Sequence, residues 1–422
     1  MRNLRLLTLI SFLLFMSRGI IGPVTSLYSA SLGADYVAIG LLGTVTSLTA
    51  VVASALWGSL SDRLGRRKQI LVGGLLLLAA AEVLIATAPS FHYLFAWNVL
   101  SALASAAYGT ASLALMGDLL ERGDESRGLQ VGTYRGLASL GFGLMALISG
   151  RVADMLQISA PFWIAASLAL AAGLVSLTVQ EPGAERAALP ALGEVLREAP
   201  LALGRRLRAL LAAARGLPRE ERFMAEGTPT TALPLAPLLV SSLLWSLVTG
   251  AVYAVWANYM VLEAGYSPTV MSRLWAVASL SEFPLMILAG WLSDRIGRLP
   301  MLSLGFVAWS LVFTGYILVP RLPWIIGVQL VRGFAYSAFT ATAMAYAAEV
   351  RSRDQRGRVS GLYSSAGGLG SILGAAVGGT LTQALGFRAM FAVNAAVILA
   401  GALYLAWAAL RHRQALQRSA AA

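Results

Sequence analysis

The chain has 422 residues, of which 58% are hydrophobic and 12% are charged, and its 32 Lys and Arg against 20 Asp and Glu give a net charge of +12. A soluble domain carries about 25% charged residues, so this composition excludes a soluble protein and predicts an integral membrane protein. The chain has no cysteine and only two histidines. This excludes disulfides and cysteine nucleophiles and argues against a metal site, so we predict no metal and no cofactor.

Twelve apolar blocks of about 20 residues, the length that crosses a bilayer as a helix, follow one another along the chain. They cover residues 4–31, 37–58, 69–88, 91–116, 129–150, 160–180, 236–262, 268–292, 300–319, 323–347, 358–384 and 387–410. Pro23 in the first block and Pro284 in the eighth are expected to kink their helices. The first block holds Arg18 near its middle and no cleavage site, so we predict a retained helix rather than a signal peptide.

The loops between these blocks alternate in their content of Lys and Arg. Most of the basic residues lie at the two termini and in the loops that follow the even-numbered blocks, whereas the opposite loops hold Arg151, Arg273, Arg321 and Arg388. Because basic loops stay in the cytoplasm, we predict a multi-pass protein of the cytoplasmic membrane with both termini inside. The net charge thus follows the topology and favours contact with anionic membrane lipids, and no nucleic-acid partner is predicted.

The segment 181–235 divides the blocks into six and six. It begins with "EPGAERAALP" and ends in "EGTPTTALPLAP", both of which are rich in turn residues. Its middle carries arginines and leucines at helical spacing, so an amphipathic helix on the membrane surface is an alternative to a simple solvated linker. The predicted domains are an N-terminal six-helix bundle (1–180), a cytoplasmic linker (181–235) and a C-terminal six-helix bundle (236–422).

Two charged stretches repeat each other: "GSLSDRLGRRKQ" begins at Gly58 and "GWLSDRIGRLPM" begins at Gly290. The motif residues are Gly58, Asp62, Arg63, Gly65, Arg66 and Arg67 in the first copy and Gly290, Asp294, Arg295, Gly297 and Arg298 in the second. The leading glycine of each copy, at a helix end, is expected to let a neighbouring backbone approach closely. The later glycine is expected to permit the reversal between two helices, and the aspartates need partners at the membrane edge.

Two copies in equivalent loops resemble the signature G-x-L-A-D-R-x-G-R-[RK] of the major facilitator superfamily. The resemblance covers essentially the whole chain and implies an all-α integral membrane fold, with twelve transmembrane helices in two pseudo-symmetric six-helix bundles. It also implies a cytoplasmic gate, although the same charges could serve only to set the topology. The gate contacts that it implies are Arg66 with Asp118, Arg298 with Glu349, and Asp62 with Arg356 or Arg358.

Ionisable side chains deep in a span are costly and indicate function by default. The acids near mid-span are Glu82 and Glu282, and the deep bases are Arg18, Arg135 and Arg332. Burial and a nearby arginine act in opposite directions on the protonation of a carboxyl group. Glu282 is therefore predicted to exchange the coupling proton, with a static ion pair as the alternative. Glu82 is interpreted as a local hydrogen-bond partner, because the resemblance places its span outside the cavity.

The resemblance places spans 1, 4, 7 and 10 around the substrate. Two arginines, Arg18 and Arg332, are predicted to pair either with an anionic group of the substrate or with an internal acid. The other substrate-cavity candidates, each with simple packing as the alternative, are Asn98, Arg135, Tyr253, Trp256, Gln329 and Tyr336. Two patterns common in the superfamily, an arginine in span 4 and a Gly-Pro pair in span 5, are missing, which argues against a drug/proton antiporter.

The sequence contains neither a P-loop nor a nucleophile paired with a base, so it predicts neither ATP-driven transport nor an enzyme. It predicts a secondary active transporter, working as a monomer, that moves a small organic solute by rocker-switch alternating access with proton coupling by symport or antiport. A passive facilitator and a multidrug or metabolite efflux antiporter are the alternatives. A non-transporting receptor or a lipid-handling scaffold is the alternative from another class. Solute identity and direction of transport stay open.

Overall fold

A computed structural model describes residues 2–64, 67–121, 127–180, 204, 233–318, 321–350 and 356–421. The described residues form helices and contain no strand. The helices are α1 (Arg2–Ile21), α2 (Thr25–Ser31), α3 (Tyr36–Leu64), α4 (Arg67–Ala86), α5 (Phe91–Glu121), α6 (Arg127–Met155), α7 (Ala160–Ser176), α8 (Leu235–Asn258), α9 (Pro268–Ile296), α10 (Arg298–Leu318), α11 (Leu322–Glu349) and α12 (Arg356–Ala421). A π-helical turn, Tyr259–Glu263, extends α8.

Each of the predicted spans corresponds to helix in the structure. Within the described residues, eight helical stretches are both long and apolar enough to cross a membrane. The last two predicted spans both fall in α12, where Gly386 has a non-helical backbone (φ 81°, ψ 170°) that separates one helix from the next. The length of the apolar blocks was therefore a sound guide to the helices, because a membrane helix must satisfy all its backbone groups internally over the full bilayer thickness.

The first predicted span is not one continuous helix. It breaks after Ile21, and a turn at residues 22–24 joins α1 to α2. Pro23 has no amide hydrogen to donate, and the amide of Val24 bonds the carbonyl of Ile21 (3.0 Å) in a tight turn. By contrast, α9 runs on through Pro284 as a single helix.

The described chain forms two compact units. The first comprises Met1–Leu203 with Val255–Ser279, and the second comprises Gly204–Ala254 with Leu280–Ala422. In the first unit, α1 packs on α6 and α7, and α4 packs on α5 and α7. In the second, α10 packs on α11 and α12. The domain boundaries drawn from the sequence stay a prediction, since most of the segment 181–235 lies outside the described residues.

Both units have apolar cores built from the inward faces of their helices. In the first unit, Leu7 of α1, Leu71 and Leu75 of α4 and small residues of α5 are buried together. In the second unit, the aromatic side chains of α10 are fully buried. These are Phe306, Trp309, Phe313 and Tyr316. Against these apolar cores, the few buried charged side chains are conspicuous.

Candidate functional site

A buried cluster in the second unit brings together Glu282 of α9 and Arg332 of α11. Arg332 is 3% exposed, and its Nη1 donates a hydrogen bond to Oε1 of Gln329 (3.1 Å) one turn earlier. The half-buried Glu282 carboxyl group lies close enough to interact electrostatically with that guanidinium. The hydroxyl of Ser337 donates to the backbone carbonyl of Glu282 (3.0 Å) and so joins the two helices here. The sequence predicted both charges, and the structure shows them as neighbours.

Three tyrosines interact with residues of this cluster. The guanidinium carbon of Arg332 lies 5.3 Å from the centre of the Tyr253 ring, an attractive cation–π geometry. Gln329 Nε2 donates to the Tyr316 hydroxyl (3.3 Å), and Tyr336 interacts electrostatically with Glu282. Tyr253 and Tyr336 are half-buried, whereas Gln329 is fully buried. Of the cavity and coupling candidates in this cluster, Tyr253, Tyr336 and Glu282 are therefore partly exposed, and Arg332 and Gln329 are buried.

A second cluster lies in the first unit, around Arg18 of α1. Its Nη2 donates to the hydroxyl of Ser105 on α5, and the guanidinium also interacts with Tyr108 and with Glu82. Glu82 of α4 is 1% exposed, and its Oε1 accepts a hydrogen bond from Ser101 (3.2 Å). Its Oε2 is buried and makes no hydrogen bond within the described residues. Glu82 does have the predicted local hydrogen bond, but sequence reasoning missed that it is also the acid beside Arg18.

Two other cavity candidates, Asn98 and Trp256, make contacts of a different kind. The Asn98 side chain donates to the carbonyl of Leu94 in its own helix (2.8 Å). Trp256 is 1% exposed and packs edge-on against Trp275 in the first unit, with ring centres 5.3 Å apart. This contact agrees with simple packing, the alternative to a substrate contact. Arg135 belongs to α6, but its side chain lies outside the described residues.

The second copy of the charged motif forms a compact network at the turn between α9 and α10. Arg298 donates two hydrogen bonds to the carboxylate of Glu349 at the end of α11, from Nη2 to Oε1 (2.7 Å) and from Nε to Oε2 (3.1 Å). Its Nη1 contacts Asp294 Oδ1 (2.6 Å) and donates to the hydroxyl of Ser293 (2.8 Å). The contact of Arg298 with Glu349 is the one that the resemblance implied. Its role as a gate stays a prediction.

Arg295 and Gly297 of the second copy differ in what they do. Among the described residues, Arg295 makes no contact with this network, and its guanidinium carbon lies 3.9 Å from the centre of the Trp291 ring. Gly297 has a φ of 97°, which suits glycine because other residues would meet steric strain there. The predicted reversal at this glycine is therefore present in the structure.

The leading glycines of the two copies, Gly58 and Gly290, have no close neighbour among the described residues. A side chain built at Gly58 or at Gly290 would meet no heavy atom within 4 Å in the described part of the chain. The predicted close approach of a neighbouring backbone at these two glycines therefore stays a prediction.

Most of the first copy cannot be compared in the same way. Arg67 begins α4, and Gly58 lies within α3. The side chains of the other first-copy residues and of their implied partners lie outside the described residues. These are Asp62, Arg63, Gly65, Arg66, Asp118, Arg356 and Arg358.

A contact that sequence reasoning missed joins α6 to the start of α9 within the first unit. Asp154, near the end of α6, accepts hydrogen bonds at Oδ2 from the amide of Thr269 (3.0 Å) and from its hydroxyl. One turn earlier, a side chain at Gly150 would overlap the backbone carbonyl of Pro268 and the hydroxyl of Ser272. The only sequence signal was the spacing of Gly150 and Asp154, which puts both on one helix face.

Comparison with known proteins gives a consistent result. The sequence pattern of the MFS_1 like family matches residues 4–393. The chain is 26% identical to the multidrug resistance protein MdtG of Citrobacter koseri, covering 98% of this chain and 96% of that protein. It is 27% identical to the maltose permease of Geobacillus stearothermophilus, covering 96% and 94%. The crystal structure of the nucleoside transporter NupG is similar in fold, with a TM-score of 0.76, 17% identity and coverage of 97% and 99%.

Proposed function

Because the chain belongs to the MFS_1 like family, we propose that it is a secondary active transporter that moves a small organic solute across the cytoplasmic membrane by alternating access. The family membership confirms the predicted superfamily, the all-α fold of twelve membrane helices, and a multi-pass membrane transport protein rather than an enzyme. The proposal further includes rocker-switch movement, proton coupling, cytoplasmic termini, contacts with anionic lipids and a monomeric state.

The cluster of Glu282 and Arg332 is the observation that carries proton coupling. Glu282 is half-buried and can exchange a proton, whereas the neighbouring Arg332 is buried. When Glu282 binds a proton, Arg332 loses its counter-charge, and an uncompensated buried charge is costly. The protein can relieve that cost by changing conformation or by releasing the proton. Protonation and conformation are then linked, as proton coupling requires. The bond from Ser337 to the Glu282 carbonyl joins α9 to α11 at this point.

Two contacts at opposite ends of α9 support alternating access. Asp154 binds the start of the helix at Thr269, and the Arg298 network lies just beyond its last residue, Ile296. The 29 residues of α9 make it about 43 Å long at the α-helical rise, so these contacts lie near opposite membrane faces. Polar contacts at both ends can open and re-form as the helix moves. The gate role of the two charged motifs, including Asp62, Arg66 and Asp118, is part of this proposal.

Glu282→Gln tests the proposal in proteoliposomes with an imposed pH gradient. The wild-type protein is expected to accumulate solute against its gradient, and the variant to equilibrate the solute without accumulation, because glutamine keeps the shape but cannot exchange the proton. Glu263→Gln is the matched control, since Glu263 is exposed at the end of α8, and this variant should accumulate solute normally.

Candidate solutes are maltose, uridine as a nucleoside and a cationic dye as a drug-like compound, because the similar proteins include a maltose permease, a nucleoside transporter and a multidrug resistance protein. Solute that equilibrates without proton flux in the wild-type protein would identify a passive facilitator instead. Normal accumulation by Glu282→Gln would remove Glu282 from the coupling mechanism. No movement of any solute by the wild-type protein would contradict transport of these classes.

A further inference from the structure

Gln329 uses both ends of its side-chain amide to connect Arg332 to a neighbouring helix. Its Oε1 accepts a hydrogen bond from Arg332 Nη1 (3.1 Å), and its Nε2 donates to the Tyr316 hydroxyl of α10 (3.3 Å). Gln329 and Tyr316 are both fully buried, so neither can contact a solute in this conformation. Gln329 was a cavity candidate in the sequence, but its contacts are directed to the arginine instead.

The anchor for this amide is itself held in place. The Tyr316 ring is 2% exposed and packs on Phe391 of α12, with ring centres 5.2 Å apart. An amide and a phenol are both neutral at physiological pH. The hydrogen bonds of Gln329 therefore do not depend on whether Glu282 carries a proton, and they hold the guanidinium in both states of that acid.

An arginine held in this way has a consequence for proton coupling. In the proposed function, protonation of Glu282 leaves Arg332 as an uncompensated buried charge, and a conformational change relieves the cost. A long arginine side chain can also move its charged head into water while its stem stays buried. That movement would relieve the cost without any movement of the helices, and protonation would then not be coupled to conformation.

We propose that Gln329 is a positioning residue for proton coupling. Together with Tyr316 it keeps the guanidinium of Arg332 in place when Glu282 takes up a proton, so that the helices must move instead. The inference rests on the proposed function and adds to it the residue that makes the coupling obligatory. Gln329 acts through Arg332 and is assigned no contact with the solute.

Gln329→Met tests this role in proteoliposomes, with whichever of maltose, uridine and the cationic dye the wild-type protein accumulates. Methionine is similarly unbranched, but its thioether is only a weak acceptor and cannot hold the guanidinium. A gradient of one pH unit supports about tenfold accumulation for each proton carried, and the variant should lose this accumulation.

Two further measurements on Gln329→Met distinguish a coupling defect from a structural one. Exchange of labelled solute at equal pH on both sides requires no net proton movement, so it should fall much less than accumulation. The dependence of the exchange rate on pH should flatten, because protonation of Glu282 no longer forces a conformational change. A residue that only supports the fold would lower accumulation and exchange together and leave the shape of the pH profile unchanged.

Asn394→Leu is the matched control for the loss of a buried amide. Asn394 is 2% exposed in the same unit, and its Nδ2 donates only to the carbonyl of Met390 in its own helix (2.8 Å). This variant should accumulate solute as the wild type does. Tyr316→Phe removes the hydroxyl and keeps the ring, and it should lose part of the accumulation. It takes over the test if Gln329→Met does not give a monodisperse protein.

The outcomes separate this inference from the proposed function. Full accumulation by Gln329→Met, or by Tyr316→Phe where it takes over, would overturn the inference and leave transport and the role of Glu282 untouched. Equal losses of accumulation and exchange with an unchanged pH profile would also overturn it, and so would a similar loss of accumulation in Asn394→Leu. Absence of accumulation by the wild-type protein would instead contradict the proposed function, and the inference with it.

Discussion

Gly297 and Gly290 lie in the same charged motif but have different backbone geometry. Gly297 adopts a positive φ of 97° at the turn between α9 and α10. Gly290 lies inside α9 with open space around it in the described part of the chain. The family signature treats both as fixed glycines, whereas their conformations imply different physical requirements. The Arg298 network depends on the first of them, because Gly297 immediately precedes Arg298 in that turn.

Alanine substitutions at these glycines should have opposite effects on stability. Gly297→Ala should lower the free energy of unfolding by about 1 kcal/mol, because a Cβ is strained at positive φ. Gly290→Ala should leave stability unchanged or raise it by up to about 1 kcal/mol, since alanine is the better helix former. Thermal unfolding of both variants in the same detergent measures the difference. Equal losses in the two would show that Gly290 has a packing role that this conformation does not reveal.

At the scale of helices, Asp154 links two elements that are far apart in the sequence. Its carboxylate accepts the amide of Thr269 in the first turn of α9, where a helix has unpaired amides and a partial positive charge. Asp35 makes the same type of bond to Ala38 in α3 (2.7 Å), but only within its own segment. The two aspartates therefore offer a comparison between a cap that joins helices and a cap that does not.

Asp154→Ala and Asp35→Ala should each lower the free energy of unfolding by about 1 kcal/mol, the usual value of such a cap. Only Asp154→Ala should also loosen the contact between α6 and α9. Ser272 is fully buried beside Gly150, and Ser272→Cys makes it a reporter in a chain that has no other cysteine. A loss of about 1 kcal/mol should raise the labelling rate of this cysteine about fivefold.

The labelling measurement has a clear control. With Asp35→Ala, the rate at Ser272→Cys should stay at the wild-type value, because α3 has no part in the contact. If Asp154→Ala also leaves that rate unchanged, the contact does not open during the cycle. Asp154 would then be a structural cap only.

At the scale of the whole molecule, the proposed orientation rests on the distribution of basic residues. The two ends of each span face different compartments, and the loops rich in arginine are assigned to the cytoplasm. The same assignment places the Arg298 network inside and the contact of Asp154 with Thr269 outside. The proposed gates therefore depend on the orientation being correct.

Two single cysteines test the orientation in intact cells. Gln157, just beyond α6, and Gln414, near the end of α12, are both exposed. A membrane-impermeant thiol reagent should label Gln157→Cys from outside the cell and should label Gln414→Cys only after the membrane is permeabilised. Labelling of Gln414→Cys in intact cells would show that the topology is the reverse of the proposed one. The two proposed gates would then lie on the opposite sides of the membrane.

The tested parts of the sequence predictions followed from local and compositional signals. Apolar blocks located the helices, and the repeated motif with its twelve spans identified the superfamily. Arg18, Glu282 and Arg332 stood out because a charge is rare within a span. The close approach expected at Gly58 and Gly290 stays a prediction, because a glycine in a motif shows only that space is permitted there. Whether a neighbour uses that space is decided by other helices.

The sequence by itself determined the membrane class, the positions of the helices and the superfamily, because the bilayer imposes length and polarity on each segment separately. Only the tertiary structure decided which residues meet. It placed Glu82 beside Arg18, Glu282 beside Arg332, and Asp154 at the start of α9. These partners are distant in the chain and share no periodicity, so their pairing depends on how whole helices pack.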